Sequence, residues 1–168
     1  MKTKIAALVL AALGICSGVH AQTIEGAFGQ KLGDKVEAGL SPIQKQGPVA
    51  PYCYAEFKPE APYPHLTYYS VSVTPQSHLV FDVSALGDFP SQAAVNEFMK
   101  ILETKYGNFK YDGDRTVATT GTRQVGGREI KIIIYKLCVI VIYRDNALVA
   151  VAKIEGATGK SADGGKGL

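Results

Sequence analysis

An almost unbroken apolar run in the second half of the chain constrains the fold most. In the fourteen residues from Ile130 to Tyr143 only Lys131 and Lys136 are charged, and eight residues are β-branched. β-Branched side chains pack well on a pleated sheet and are poorer helix formers. The run therefore predicts sheet interior, either as one long bent strand or as two strands that break near Lys136.

The neighbouring segments also favour strands. Pro75 suits the turn of a hairpin, and Gly126-Gly127 is a typical two-residue turn before the apolar run. Prolines on both sides of the earliest strand should confine it to a sheet edge. The strands predicted outside the run cover residues 52–57, 66–73, 78–85, 115–125 and 147–154.

One helix is predicted, over about residues 90–106. Val95, Phe98, either Ile101 or Leu102, and Tyr106 recur at three- and four-residue steps and so form one apolar stripe. Asp88 or Ser91 can cap its start, and Gly107 suits the position after its end. A single amphipathic helix needs a sheet as its partner.

These elements predict an α+β fold with one domain, in which an antiparallel sheet of about six or seven strands packs on one main helix. The second face of the sheet is either open or closed by curling into a partial barrel. Residues 22–47 are rich in glycine and predict an irregular arm, residues 48–155 the α+β domain, and residues 156–168 a disordered glycine-rich tail.

The N-terminus has the pattern of a secretory signal peptide over residues 1–21. Lys2 and Lys4 precede an uncharged apolar run that ends in Val19-His20-Ala21, with cleavage expected before Gln22. Cys16 belongs to the discarded segment. The run is shorter than a membrane span, so we expect an exported protein with no transmembrane anchor after cleavage, in the periplasm or outside the cell.

The expected mature chain of 147 residues is nearly neutral, with 16 basic and 15 acidic residues. This balance argues against nucleic acid as a partner, since such binding rests on a strong positive field. Acidic residues are in excess from Gln22 to Gly107 and basic residues from Asn108 to Leu168. The simplest explanation is solvated strand faces; the alternative is a polarised surface for an acidic partner.

Two cysteines remain after cleavage, Cys53 and Cys138. In an oxidising compartment an isolated pair predicts a disulfide. The alternative is that Cys138, inside the apolar run, is a buried thiol.

The chain lacks the signatures of the common hydrolases, and we predict no catalytic, metal or cofactor site. An unfamiliar cell-envelope hydrolase would depend on carboxylates such as Asp82 or Asp112 and on His78. A small-ligand carrier is a further alternative.

The most distinctive surface candidate is aromatic. Tyrosine offers a large contact area at a low entropic cost and is common at interfaces, although such rings often pack onto a sheet instead. We therefore expect a non-enzymatic binding or protein-interaction module, resembling an inhibitor or immunity protein, whose partner is another extracytoplasmic protein. The candidate surface comprises Tyr52, Tyr54, Phe57, Tyr63, Tyr68 and Tyr69.

Overall fold

The computed structural model describes residues 22–36, 40, 43–46, 51–114 and 118–163. The predicted signal peptide and Cys16 lie outside these residues. The described part confirms an α+β domain with an antiparallel sheet and one main helix. Its elements are β1 (Gly26–Ala27), β2 (Gln30–Lys31), β3 (Ile43–Gln46), β4 (Pro51–Glu56), β5 (Tyr68–Val73), β6 (Val80–Asp88), α1 (Gln92–Tyr106), β7 (Lys110–Asp114), β8 (Ala118–Val125), β9 (Arg128–Tyr135), β10 (Cys138–Asp145) and α2 (Asn146–Asp163).

The main sheet has eight strands in the order β3-β4-β5-β6-β10-β9-β8-β7, and every neighbouring pair is antiparallel. Among the described residues no ladder joins β3 to β7, so the sheet is open. The remaining strands, β1 and β2, form a separate two-stranded hairpin. The predicted irregular arm therefore contains this hairpin and the edge strand β3.

The apolar run forms two strands. Its residues form β9 and β10, which pair antiparallel and turn at Lys136-Leu137. Within each strand, buried and partly exposed residues alternate, because successive side chains point to opposite faces. Ile132 and Val141 lie on the buried side, which we call the inner face.

Helix α1 covers the inner face, as predicted. The Ser91 hydroxyl accepts a hydrogen bond from the Ala94 amide at 3.3 Å, and the Gly107 amide donates to the Glu103 carbonyl at 2.9 Å. Gly107 has a φ of 86°, which a residue with a side chain rarely adopts. The side chains that α1 buries are Val95, Phe98, Met99, Leu102 and Tyr106.

The predicted hairpin of residues 66–73 and 78–85 is present as β5 and β6. Its register shifts between Ser72 and Val73, which pairs Val73 with Val80. Phe81 is therefore buried outside the inner core, although simple alternation places it beside Val83.

The predicted edge position of residues 52–57 is wrong, because β4 pairs with β3 on one side and β5 on the other. Pro51 is the first residue of β4, a position where a strand tolerates proline. The edge strand is β3, whose sequence carries no strong strand signal.

The predicted strand at 147–154 and the predicted disordered tail are also wrong, the tail as far as Asp163, since α2 covers both. The Asp145 carboxylate accepts hydrogen bonds from the amides of Ala147 and Leu148, at 3.0 and 3.2 Å, and so caps the helix. Ala152 is completely buried. The β-branched residues favoured a strand, but this cap and the helical spacing of small residues prevail.

Helix α2 lies on the outer face, opposite α1. It contacts β4, β6 and β9, and neither its buried Ala152 nor Phe81 belongs to the inner core. The inner face at this end of the sheet is occupied by the β1–β2 hairpin: Gly33 donates to the Val80 carbonyl, and Arg128 donates to the carbonyls of Ile24 and Leu32.

Candidate functional site

The predicted aromatic surface divides between the two faces of the sheet. Phe57, Tyr63 and Tyr69 pack on the inner side. Tyr69 is 5% exposed, and its hydroxyl accepts a hydrogen bond from the Tyr63 amide at 3.1 Å and donates to the Leu66 carbonyl at 3.0 Å. The Tyr63 ring lies 4.8 Å from that of Phe98 on α1. These rings pack the proline-containing segment between β4 and β5 onto the core.

Tyr54 and Tyr68 lie on the outer face, beside Glu56. The Tyr68 hydroxyl donates to the Glu56 carboxylate at 2.8 Å, and the Tyr54 hydroxyl lies 3.5 Å from the same oxygen. The side chain of Tyr52 lies outside the described part of the structure. The six residues therefore do not form a single surface; of the five whose side chains are described, Tyr54 and Tyr68 lie together on the outer face.

The predicted disulfide is wrong: Cys53 and Cys138 are both free. Cys53 is on β4 and Cys138 on β10, three strands away, or roughly 14 Å across the sheet. Cys53 pairs with Val73 and Cys138 with Asp88, at opposite ends of the β5–β6 hairpin. A disulfide needs Cα atoms within about 7 Å. Burial raises the pKa of both thiols, with further contributions from Glu155 at Cys53 and from Asp88 at Cys138.

Half of the outer face carries a continuous row of apolar side chains. Leu86 on β6 pairs with Tyr68 on β5 and with Ile140 on β10, and Ile140 pairs with Ile133 on β9. We call these four residues the apolar row. All four are partly exposed, whereas their inner-face neighbours along each strand are buried. Neither helix of the described residues covers the row.

The turn between β9 and β10 extends this exposed surface. Tyr135 is 57% exposed and Leu137 36% exposed. Beside them, a shallow depression of about 290 Å³ is lined partly by Ile133, Tyr135 and Asp112. The uncovered part of the outer face therefore combines the apolar row with this turn; together we call them the outer patch.

The other half of the outer face is closed by α2. There Asp82 on β6 is 8% exposed and accepts two hydrogen bonds from the Arg144 guanidinium on β10, both at 2.7 Å. Burial raises the pKa of Asp82, and Arg144 opposes that rise without cancelling it. The carboxylate is fully engaged in this bidentate pair, which is a structural role.

Glu155 connects α2 to the turn between β5 and β6 through hydrogen bonds. Its carboxylate accepts from the Gln76 amide at 2.7 Å, the Ser77 amide at 3.1 Å and the Ser77 hydroxyl at 2.6 Å. Burial alone would raise the pKa of Glu155, but these hydrogen bonds and the nearby His78 outweigh it and lower the pKa.

The structure does not bring the hydrolase candidates together. Asp82 and Asp112 are four strands apart, about 19 Å across the sheet, whereas glycosidase carboxylates stand about 5–10 Å apart. His78 lies in the turn before β6 with a φ of 58°, and His65 lies against the ring of Phe89. Within the described ranges no three His, Cys, Asp or Glu side chains form a metal-binding group.

A second depression lies on the inner side. It has a volume of about 550 Å³ and is lined by residues that include Phe28, Leu40, Phe57 and Glu60. Phe28 has a φ of 55°, and its ring packs edge-on to Tyr69 at 5.0 Å. This is an open groove at the edge of the core.

The sequence predicts sheet interior for the apolar run and leaves the second face of the sheet either open or closed by curling, so it does not locate the outer patch. Its signal was nevertheless present. A run that carries apolar residues on both faces needs cover on both faces of the sheet, yet only one helix is predicted to supply it.

Among the described residues, no helix has the length and apolarity needed to cross a bilayer. Comparison of the chain with protein-family models, with curated proteins and with solved structures found no match.

Proposed function

We propose that the chain is an exported, non-enzymatic protein-interaction module that binds another extracytoplasmic protein through the outer patch. The observation that carries this proposal is the apolar row, which stays partly exposed on the outer face although α1 and the β1–β2 hairpin pack on the inner face and α2 lies over one end of the outer face. The pattern of Lys2, Lys4 and the following apolar run supports export.

The composition of the outer patch suits a protein partner. An apolar centre with tyrosines at its margin is typical of interface cores, because tyrosine combines a large apolar surface with a polar tip. Tyr68 and Tyr135 lie at opposite ends of the patch, and Glu56 holds the Tyr68 hydroxyl in place. Exposed apolar side chains in a continuous patch commonly mark interaction sites.

The test is affinity capture from an extracytoplasmic extract with three immobilised proteins: the wild type, Ile140→Asp and Ile101→Asp. Ile140 is in the centre of the apolar row, whereas Ile101 is an exposed residue of α1 on the other side of the domain. We expect the wild type and Ile101→Asp to retain a protein that Ile140→Asp does not retain. That protein, once purified, should bind the purified wild type directly. Equal retention by all three proteins, or none above an unrelated exported control, would refute the proposal.

A further inference from the structure

We infer that, when no other partner is bound, the outer patch binds a second copy of the chain around a two-fold axis that runs along the apolar row. This inference rests on the proposed function in using the same surface. Four large apolar side chains are strongly exposed among the described residues, and three of them lie on this side of the domain: Tyr135, Leu137 and Ile154. The fourth, Ile101, is on α1.

Helix α2 fixes the direction of the axis. It stands above the outer face at one end of the strands, where it contacts β4, β6 and β9. Two such faces approach closely only if their α2 helices lie at opposite ends. A two-fold axis across the strands achieves this, whereas an axis along the strands places both helices at the same end. The axis therefore follows the apolar row.

The strand register then determines which residues meet. Each residue of the apolar row lies opposite its own copy, as in any isologous interface. On each strand, the next outer-face residue from the row towards the β9–β10 turn faces the next outer-face residue from the row towards α2 in the second copy. The resulting facing pairs are Cys138 with Ile142, Tyr135 with Lys131, and Asp88 with Ser84.

These facing pairs are chemically complementary. A lysine ammonium over a tyrosine ring is a favourable cation–π arrangement. Lys136 of the same chain already lies 5.5 Å from the centre of the Tyr135 ring, so Lys131 of the second copy would approach the opposite side of the ring.

The Ser84 hydroxyl is bonded to that of Ser70 at 2.7 Å and, when it accepts there, can donate its own proton to the Asp88 carboxylate. Cys138 and Ile142 are both apolar in character. None of the three pairs joins like charges, and the symmetry forms each pair twice. The chain itself therefore supplies the partner chemistry that its outer patch fits.

The ends of the interface also match. The axis brings the β9–β10 turn of each copy towards α2 of the other. The turn carries Leu137, which is 36% exposed, and α2 carries Ile154, which is 66% exposed. A second copy thus covers the apolar side chains at both margins of the outer patch.

The interface is small. Three rows along four strands span roughly 20 Å by 20 Å, or about 400 Å² per copy before the flanking contacts are added. Specific interfaces of this size are at the weak end of the range. We therefore expect a reversible dimer with a dissociation constant in the micromolar range.

Sedimentation equilibrium of the expected mature chain, residues 22–168, tests the association. We expect a monomer–dimer equilibrium for the wild type and for Ile101→Asp. Ile140→Asp should raise the dissociation constant roughly a hundredfold or more, because a carboxylate on the axis would lie against its own copy in an apolar contact. Lys131→Glu, which leaves the apolar row intact, should weaken the dimer about tenfold. A wild type that stays monomeric at several hundred micromolar overturns the inference.

Thiol crosslinking tests the register. Facing sheets lie about 10 Å apart, too far for a direct disulfide but within reach of a short bismaleimide. Ile142→Cys should be crosslinked efficiently to Cys138 of the second copy. The same variant with Cys138→Ser should not, because two residues at position 142 lie about 13 Å apart along the strands in addition to the sheet spacing. Equal crosslinking of both variants overturns the proposed axis.

Failure of this inference is distinguishable from failure of the proposed function. A monomeric wild type that captures another protein through Ile140 refutes self-association and leaves the proposed function standing. A dimer that forms as described but whose outer patch captures no other protein refutes the proposed function alone.

Discussion

Removing the Glu155 carboxylate should loosen α2 from the sheet. The carboxylate accepts three hydrogen bonds from Gln76 and Ser77 in the β5–β6 turn, at 2.6 to 3.1 Å. A hydrogen bond to a charged group contributes about 1.5–3 kcal/mol when buried. Water competes at this partly exposed position, so we take less than 1 kcal/mol for each bond. The expected cost of Glu155→Ala is about 2 kcal/mol.

The loss of stability in Glu155→Ala should first be seen as local opening of α2. Hydrogen exchange measured by mass spectrometry should accelerate about 30-fold in the amides of residues 147–158, while β9 and β10 stay protected. Where α2 unfolds together with the rest of the domain, the midpoint temperature of thermal unfolding should fall by about 4–8 °C. Lys153→Ala is the matched control, since Lys153 is an exposed residue of the same helix. Unchanged exchange in residues 147–158 of Glu155→Ala would show that these hydrogen bonds do not hold the helix.

The same contact should depend on pH. Because the pKa of Glu155 is lower in the folded chain than its ordinary value, its contribution is complete above about pH 5 and is lost as the pH falls through the lowered pKa. The stability difference between the wild type and Glu155→Gln should therefore be about 1 kcal/mol near neutral pH and should vanish in acid. A difference that grows on acidification would contradict this sign.

Three other expectations concern the scaffold. Arg128→Ala should destabilise the domain by about 2 kcal/mol and speed exchange in the β1–β2 hairpin, because Arg128 bonds to the Ile24 and Leu32 carbonyls and to Asp145; Gln124→Ala, at an exposed site on β8, should change neither. Gly87→Ala should lower the free energy of unfolding measured in urea by more than about 3 kcal/mol, since a Cβ there would lie 1.8 Å from the His65 carbonyl oxygen. Gly126→Asn, at a φ of 58° with open space around it, should lower the same free energy by less than about 0.5 kcal/mol. Thiol titration of the unfolded, unreduced chain of residues 22–168 should find both Cys53 and Cys138 free, and a chain without free thiols would contradict their placement on distant strands.

The features that the sequence predicted correctly have local signals. The α1 helix has an apolar period, a cap and a terminal glycine within seventeen residues. The β5–β6 hairpin and the turn at Gly126-Gly127 depend on a few adjacent residues with known turn preferences. Such signals do not require knowledge of which distant segments meet.

The features that the sequence predicted wrongly depend on distant contacts or on competing local signals. Whether Cys53 and Cys138 meet depends on strand order, which places three ladders between them. In α2, β-branched residues favoured a strand, but the Asp145 cap and the Glu155 contact stabilise a helix. The tyrosines of the predicted aromatic surface lie on both faces of the sheet, because successive residues of a strand point to opposite faces. Tyr54 and Glu56 lie on one face of β4, and Cys53 and Ala55 on the other.

The proposed binding surface is tested most directly by methyl NMR on an isoleucine-labelled chain of residues 22–168. Spectra are recorded over a range of protein concentrations and again with any captured partner. We expect the methyl signals of Ile133, Ile140 and Ile142 to shift in both series, because they lie on the outer face within the apolar row or next to it, while those of Ile101 and the buried Ile132 stay fixed. Binding shifts centred on Ile101, with Ile140 unchanged, would contradict the claim that the outer patch is the binding surface.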